Sequence, residues 1–146
     1  MHFTMASIWE ILRWKNVVPV KNPRGAAENT FIGEYYIPKS SVVLANAMAV
    51  QRDPQFWEHP DEFDPTRFLK KDVNELAKTP EQLLPFSLGK MCPGERMAYV
   101  ELFLYITTVL QKFTVFPEGG KLPPSLGSLD VVITEKSVRK LRFVVR

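Results

Sequence analysis

The chain has 146 residues, 45% apolar and 24% charged, which is the composition of a folded body and excludes a disordered tail. A net charge of +3, with no basic stripe interleaved with aromatics, argues against nucleic acid as a partner. One cysteine excludes an internal disulfide, and 12 prolines demand many turns and extended loops.

In chain order, Met1–Ala6 has no basic stretch leading into an apolar core, so no signal peptide is expected. Ser7 to Trp14 reads as a helix capped by Ser7, with Ile8, Trp9, Ile11 and Leu12 on one broad face. Pro19 and Pro23 then force the chain extended. Phe31-Ile32 and Tyr35-Tyr36-Ile37 flank Gly33-Glu34 as a hairpin. Pro38 to Ser41 is a second turn leading into a strand over Val42 to Ala45. Asn46 to Arg52 forms a short helix stopped by Asp53-Pro54.

From Gln55 to Pro85 the chain is rich in proline, charge and the aromatics Phe56, Trp57, Phe63 and Phe68, with a short helix expected near Asp72 to Ala77. A loop of that length is functional or disordered, and aromatics of a type usually buried argue for order. After Cys92, Pro93 suits a first helical position, and Ala98, Leu102, Ile106, Val109 or Leu110, and Phe113 recur at helical steps. Glu101, Gln111 and Lys112 exclude a membrane span there, so a long buried helix is expected. Beyond Pro117, Asp130 to Thr134 and Leu141 to Val144 alternate like the two arms of a C-terminal β-hairpin.

The chemistry-bearing stretch is "SLGKMCPGER", Ser87 to Arg96. A lone cysteine is more often a small buried hydrophobe than a ligand. Here Gly89 and Gly94 permit tight turns around it, and the positive end of the following helix favours a thiolate. A thiolate fixed there suits a redox nucleophile or a metal ligand. Zinc wants about four protein ligands, and one Cys with His2 and His59 offers no such spacing. A Cys–His pair with His59 has composition alone behind it. One thiolate without protein co-ligands is what an axial haem ligand requires.

"PFSLGKMCPGERMA" resembles the haem-binding loop of cytochromes P450, Phe-x-x-Gly-x-(Arg/Lys/His)-x-Cys-x-Gly. Phe86, Gly89, Cys92, Gly94 and Ala98 match it. "EILR", Glu10 to Arg13, resembles the family's Glu-x-x-Arg. "FDPTRF", Phe63 to Phe68, is similar to its meander motif. "YYIPKSSVV" and "NAMAVQRDPQFWEHPDEFDP" are similar to animal microsomal members. The motifs stand in family order and cover nearly the whole chain.

The resemblance implies an α+β fragment of a mostly α-helical fold, with residues 1–146 forming the C-terminal haem-binding portion of a single domain. Its parts would be the Glu-x-x-Arg helix, a small β-sheet, the proline-rich meander, the cysteine loop, a long buried helix and a C-terminal hairpin. It implies Cys92 as axial ligand of haem b. Phe86, Gly89 and Gly94 would line the cofactor, and Lys90 and Arg24 would reach its propionates. For Arg24 the competing reading is a solvated loop arginine. Val17, Val18 and Val20, with Ser125 to Gly127, match segments near the substrate pocket, though core packing explains them equally.

Glu10 and Arg13 share a helix face, and on their own would be an exposed ion pair of ~0.2–0.5 kcal/mol. The resemblance implies that they join Arg67 in a buried structural triad, whose disruption costs roughly 3–5 kcal/mol. The implied activity is insertion of one oxygen atom of dioxygen into an apolar small molecule, with electrons from an NADPH-dependent reductase, at the endoplasmic reticulum membrane for a full-length member.

Three departures stand out. Gly89 and Cys92 are one residue closer than the family pattern, which puts Lys90 at the basic position. Ser40 stands where glycine is usual, at ~1 kcal/mol if that turn needs positive φ. The chain begins just before the Glu-x-x-Arg helix, so neither the membrane anchor nor the distal half of the haem pocket is expected in it. The alternative reading is therefore a catalytically incompetent fragment, at most a haem-binding or interaction module.

Overall fold

A computed structural model describes residues 1–70, 75–87, 92–117 and 141–146. These form two compact units, His2–Glu95, and Arg96–Arg146 together with Met1.

The first unit is built around α1, His2–Trp14. It starts five residues before the expected cap. Phe3 to Ala6 continue the helical pattern, and Ser7 lies inside it with its hydroxyl donating to the Phe3 carbonyl at 2.9 Å. The buried face carries Ala6, Ile8 and Leu12, and also Glu10 and Arg13. At the other end no terminal carbonyl is left unpaired. Ile11 accepts from the Lys15 N–H, Leu12 and Arg13 accept from the Gln51 amide, and Trp14 accepts from Arg52.

Past Pro19 the chain runs extended, bridging Val20 to Asn46. β1 (Arg24–Gly25) pairs antiparallel with β4 (Val42–Val43), which is shorter than the expected strand. β2 (Thr30–Ile32) and β3 (Tyr35–Ile37) make the expected hairpin, in register Ile32↔Tyr35. Gly33, at φ +59°, takes the positive angle that the first residue of a II′ turn requires. Ser40 also has positive φ, 69°, while its N–H donates to Ala26.

α2 is one turn, Ala47–Val50, capped by the Asn46 side chain on the Ala49 N–H at 3.1 Å. The meander then winds to a 3-10 turn, Pro65–Phe68, which Asp64 caps through the Thr66 N–H. Of the helix expected near Asp72–Ala77, residues 72–74 lie outside the described residues, and Leu76 instead bridges to Leu69.

The core gathers Ala6, Trp57, Phe68 and Leu83, with Trp9, Leu69 and Leu76 partly buried against it. Trp9 and Trp57 each meet Phe68 edge-on, at centroid distances of 5.7 and 5.9 Å. Phe56 and Phe63 depart from the expectation of burial and stay exposed.

In the second unit, α3 runs Glu95–Lys112. Pro93 precedes it in a turn that the Glu95 N–H closes on the Cys92 carbonyl at 3.3 Å, so it is not the first helical residue. This helix, expected to be covered in a larger body, has no buried residue among those described, and Met97, Val100, Leu104, Tyr105 and Leu110 are exposed. Apolar sequence makes burial favourable but does not supply the surface that provides it.

β5 (Phe113–Pro117), not foreseen in the sequence, pairs antiparallel with β6 (Leu141–Val145) from Phe113↔Val145 to Pro117↔Leu141. The other expected arm, residues 130–134, lies outside the described residues. No helix among the described residues is long and apolar enough to cross a membrane.

Candidate haem-thiolate site

Glu10, one turn before the end of the buried face of α1, has no exposed surface, and Arg13 has 1%. Their three-residue spacing permits a bidentate pair. Arg13 Nε donates to Oε2 and Nη2 to Oε1, both at 2.7 Å. Arg13 spends its remaining donors on backbone carbonyls of the meander and α2: Gln51 at 2.9 Å, Pro60 at 2.8 Å and Glu62 at 3.1 Å. Its guanidinium also lies 5.3 Å from the centroid of Trp57.

Glu10 Oε1 accepts twice more, from the Asp64 N–H at 2.9 Å and from Arg67 Nε at 3.2 Å. Arg67 continues to the carbonyls of Glu58 and Glu62. The structure thus brings Glu10, Arg13 and Arg67 together, 57 residues bridged by one carboxylate. Every donor of Arg13 is spent on Glu10 or on a backbone carbonyl. The cluster fixes the meander on α1, and because the meander leads to Pro85 it sets where the cysteine loop begins.

Asp64 sits beside the triad. The Thr66 hydroxyl and N–H, and then the charges of Arg67 and Arg13, hold its carboxyl below the usual carboxylate range.

Cys92 is exposed. Its N–H donates to the Phe86 carbonyl at 3.2 Å, which folds the loop back on its own entry. Ahead of that, the Ser87 N–H reaches the Leu84 carbonyl at 3.4 Å and Ser87 takes φ 74°. Gly89 and Lys90 lie outside the described residues. Gly94 is not in the left-handed region. A Cβ added there would stand 3.8 Å from the Cys92 sulfur, in ordinary contact, so Gly94 lies directly beside the sulfur. Phe86 is half-buried.

Arg24 is in β1 and exposed. Val17, Val18 and Val20 are exposed as well, and residues 125–127 lie outside the described residues.

Sequence reading missed Lys21. Its residue exposure is 7%, its backbone N–H donates to Ala45 at 2.9 Å, and its Nζ donates to the Pro85 carbonyl at 2.8 Å. Burial pushes its pKa below the ordinary lysine range, and the charge of Cys92 pulls it partly back. A lysine between prolines reads as a surface residue, and only the three-dimensional path shows its partner.

Among the described residues no three His, Cys, Asp or Glu gather as a metal set. A single exposed thiol fits a metal group that brings its own remaining donors, as a haem iron does.

The cytochrome P450 profile matches residues 1–141. The chain belongs to the cytochrome P450 family. It is 41% identical over 135 residues to a steroid 17-alpha-hydroxylase/17,20 lyase of Squalus acanthias, covering 91% of this chain and 26% of that protein. Cytochrome P450 2U1 of Rattus norvegicus is 42% identical over 135 residues, 91% of this chain and 25% of its own length. Human cytochrome P450 2J2 is 41% identical over 122 residues, 83% and 24% respectively. The chain therefore spans about a quarter of the length of these P450 relatives. The P450 family is the standard example of haem iron held by a cysteine thiolate.

Proposed function

We propose that the chain is the C-terminal, haem-ligating portion of a microsomal cytochrome P450 monooxygenase. The observation that supports it most is Cys92, exposed and with its N–H tied to the Phe86 carbonyl, in a chain of this family. Cys92 would hold the haem iron through its thiolate. Phe86, Gly89 and Gly94 would line the cofactor, and Lys90 with Arg24 would pair its propionates. Glu10, Arg13 and Arg67 hold the meander and touch no reactant.

The haem b, when bound, supplies the activation of dioxygen for insertion of one oxygen atom into an apolar small molecule. The protein's own part here is on the thiolate side: a fixed sulfur, a backbone that holds it, and cations for the cofactor's carboxylates. Electrons come from an NADPH-dependent reductase at the endoplasmic reticulum membrane. The complete activity belongs to the family's longer chains, of which these residues are the C-terminal part.

The exposed apolar residues of α3 favour a second reading, in which these residues by themselves bind haem without turnover. Titration of haemin into wild type and Cys92→Ser, followed by reduction under carbon monoxide, tests the ligand. The thiolate-type carbonyl spectrum is expected in wild type alone; its presence in both proteins, or in neither, refutes the assignment.

A further inference from the structure

Lys21 and the cysteine loop are joined by a short relay that nothing in the family motifs requires. The lysine's backbone is held to the strand side of the unit, at Ala45, next to the Val20–Asn46 bridge. Its side chain crosses to Pro85, 64 residues further on. The next carbonyl, that of Phe86, accepts the Cys92 N–H, and the next residue, Ser87, holds a positive φ in the turn closed on Leu84.

Lysine is among the residues least often fully buried, because desolvating an ammonium needs a compensating partner. Here the partner is a main-chain carbonyl at the entry to the Cys92 loop. A charge-assisted bond at that point restrains the Pro85–Phe86 peptide, and with it the acceptor on which the Cys92 backbone depends. The side chain's reach matters as much as its charge, since a shorter donor fixed at position 21 would not arrive.

We propose that Lys21 is a positioning residue for Cys92, acting as a latch from the extended segment after α1 onto the Pro85–Phe86 peptide. This rests on the reading of Cys92 as the haem ligand for its functional consequence, but the latch itself is a property of the protein without cofactor. Lys21 does not touch the reacting atoms. It sets the orientation of the backbone that presents the sulfur.

The test compares Lys21→Met, which keeps length and apolar bulk without a donor, with Lys21→Arg, which keeps a long cationic donor. Native-state hydrogen exchange is read at the Ser87 and Cys92 amides and, as a control, along α1. Lys21→Met is expected to speed exchange at Ser87 and Cys92 by about tenfold or more, the scale of losing one charge-assisted bond. The α1 amides should change by less than about threefold, and Lys21→Arg should recover most of the protection. In the haem-loaded chain, the fraction showing the thiolate-type carbonyl spectrum should fall several-fold in Lys21→Met and return in Lys21→Arg.

Unchanged exchange at Ser87 and Cys92 overturns the latch. A uniform rise that includes α1 also overturns it, since Lys21 would then be an ordinary core element. Faster exchange with an unchanged thiolate fraction shows that the latch does not position the sulfur. If wild type itself gives no thiolate spectrum, the haem assignment fails, and the exchange data alone decide the latch.

Discussion

Removing Arg13 and removing Arg67 should have unequal effects, although both bind the same carboxylate. Arg67→Met deletes one bond to Glu10 at 3.2 Å and two to the carbonyls of Glu58 and Glu62, at a side chain with 11% exposure. Glu10 keeps its bidentate partner and the Asp64 N–H. The main loss is the hydrogen bond to the charged Glu10, about 1.5–3 kcal/mol and at the lower end because water reaches the site, while the freed Glu58 and Glu62 carbonyls can be hydrated. Arg13→Met leaves Glu10 Oε2 without a donor inside the core, and strips the carbonyls of Gln51 and Pro60 as well. Glu10 then keeps only the Arg67 and Asp64 donors, both on Oε1, and losing the close partner of a buried charge costs roughly 3–5 kcal/mol, at the lower end because Arg67 remains. The difference of about 1.5 kcal/mol corresponds to ~1 M in the urea midpoint for a unit of this size. Urea unfolding is followed by far-ultraviolet circular dichroism, because Trp57 stacks on Arg13 and its fluorescence would change directly. Equal midpoints, or a larger effect from Arg67→Met, would refute the reasoning that Arg13 is the hub and Arg67 a spoke.

Asp64 should contribute an acid-side stability term. Its folded pKa is depressed, chiefly by the Thr66 hydrogen bond, so the contribution is present above the unfolded value of about 3.9 and is lost as pH falls through the folded value. Stability curves of wild type and Asp64→Ala should differ by about 1 kcal/mol at pH 7 and converge in acid; curves that stay parallel down to the lowest pH exclude this origin. Ser40→Gly should stabilise the first unit by up to about 1 kcal/mol, since φ 69° strains a serine and suits glycine. Thermal unfolding reads it, and a lower midpoint would show that the Ser40 side chain matters more than its backbone.

What could be read from the sequence was set by range. The Gly33 hairpin and the short helix α2 are local, and their residues carry the signal within a few positions. The Glu10–Arg13 spacing is equally legible. The carbonyls of Gln51, Pro60 and Glu62 that enclose Arg13 are backbone atoms, and no residue type marks them. Lys21 escaped for the same reason. The apolar pattern of α3 gives a helix but not its cover, and β5 was hidden because Phe113–Pro117 continues the helical apolar run until β6 pairs with it. The two residues expected to shape the loop and pair the cofactor from Gly89 and Lys90 stay proposals of sequence, outside the described residues.

The sealed end of α1 has a consequence for how the chain is made. Its last carbonyls are closed by Gln51 and Arg52, 38 or more residues downstream. A ribosome that has just released Lys15 has produced a helix whose last three carbonyls, Leu12 to Trp14, still lack their donors. The last turn must wait, hydrated and loose, until the strands and α2 have emerged and the intervening loop has closed. The segment that ends at Arg52 is therefore the shortest nascent chain in which α1 can be finished. Arrest one residue before Gln51 should leave the helix end open, whereas arrest after Arg52 has cleared the exit tunnel should not.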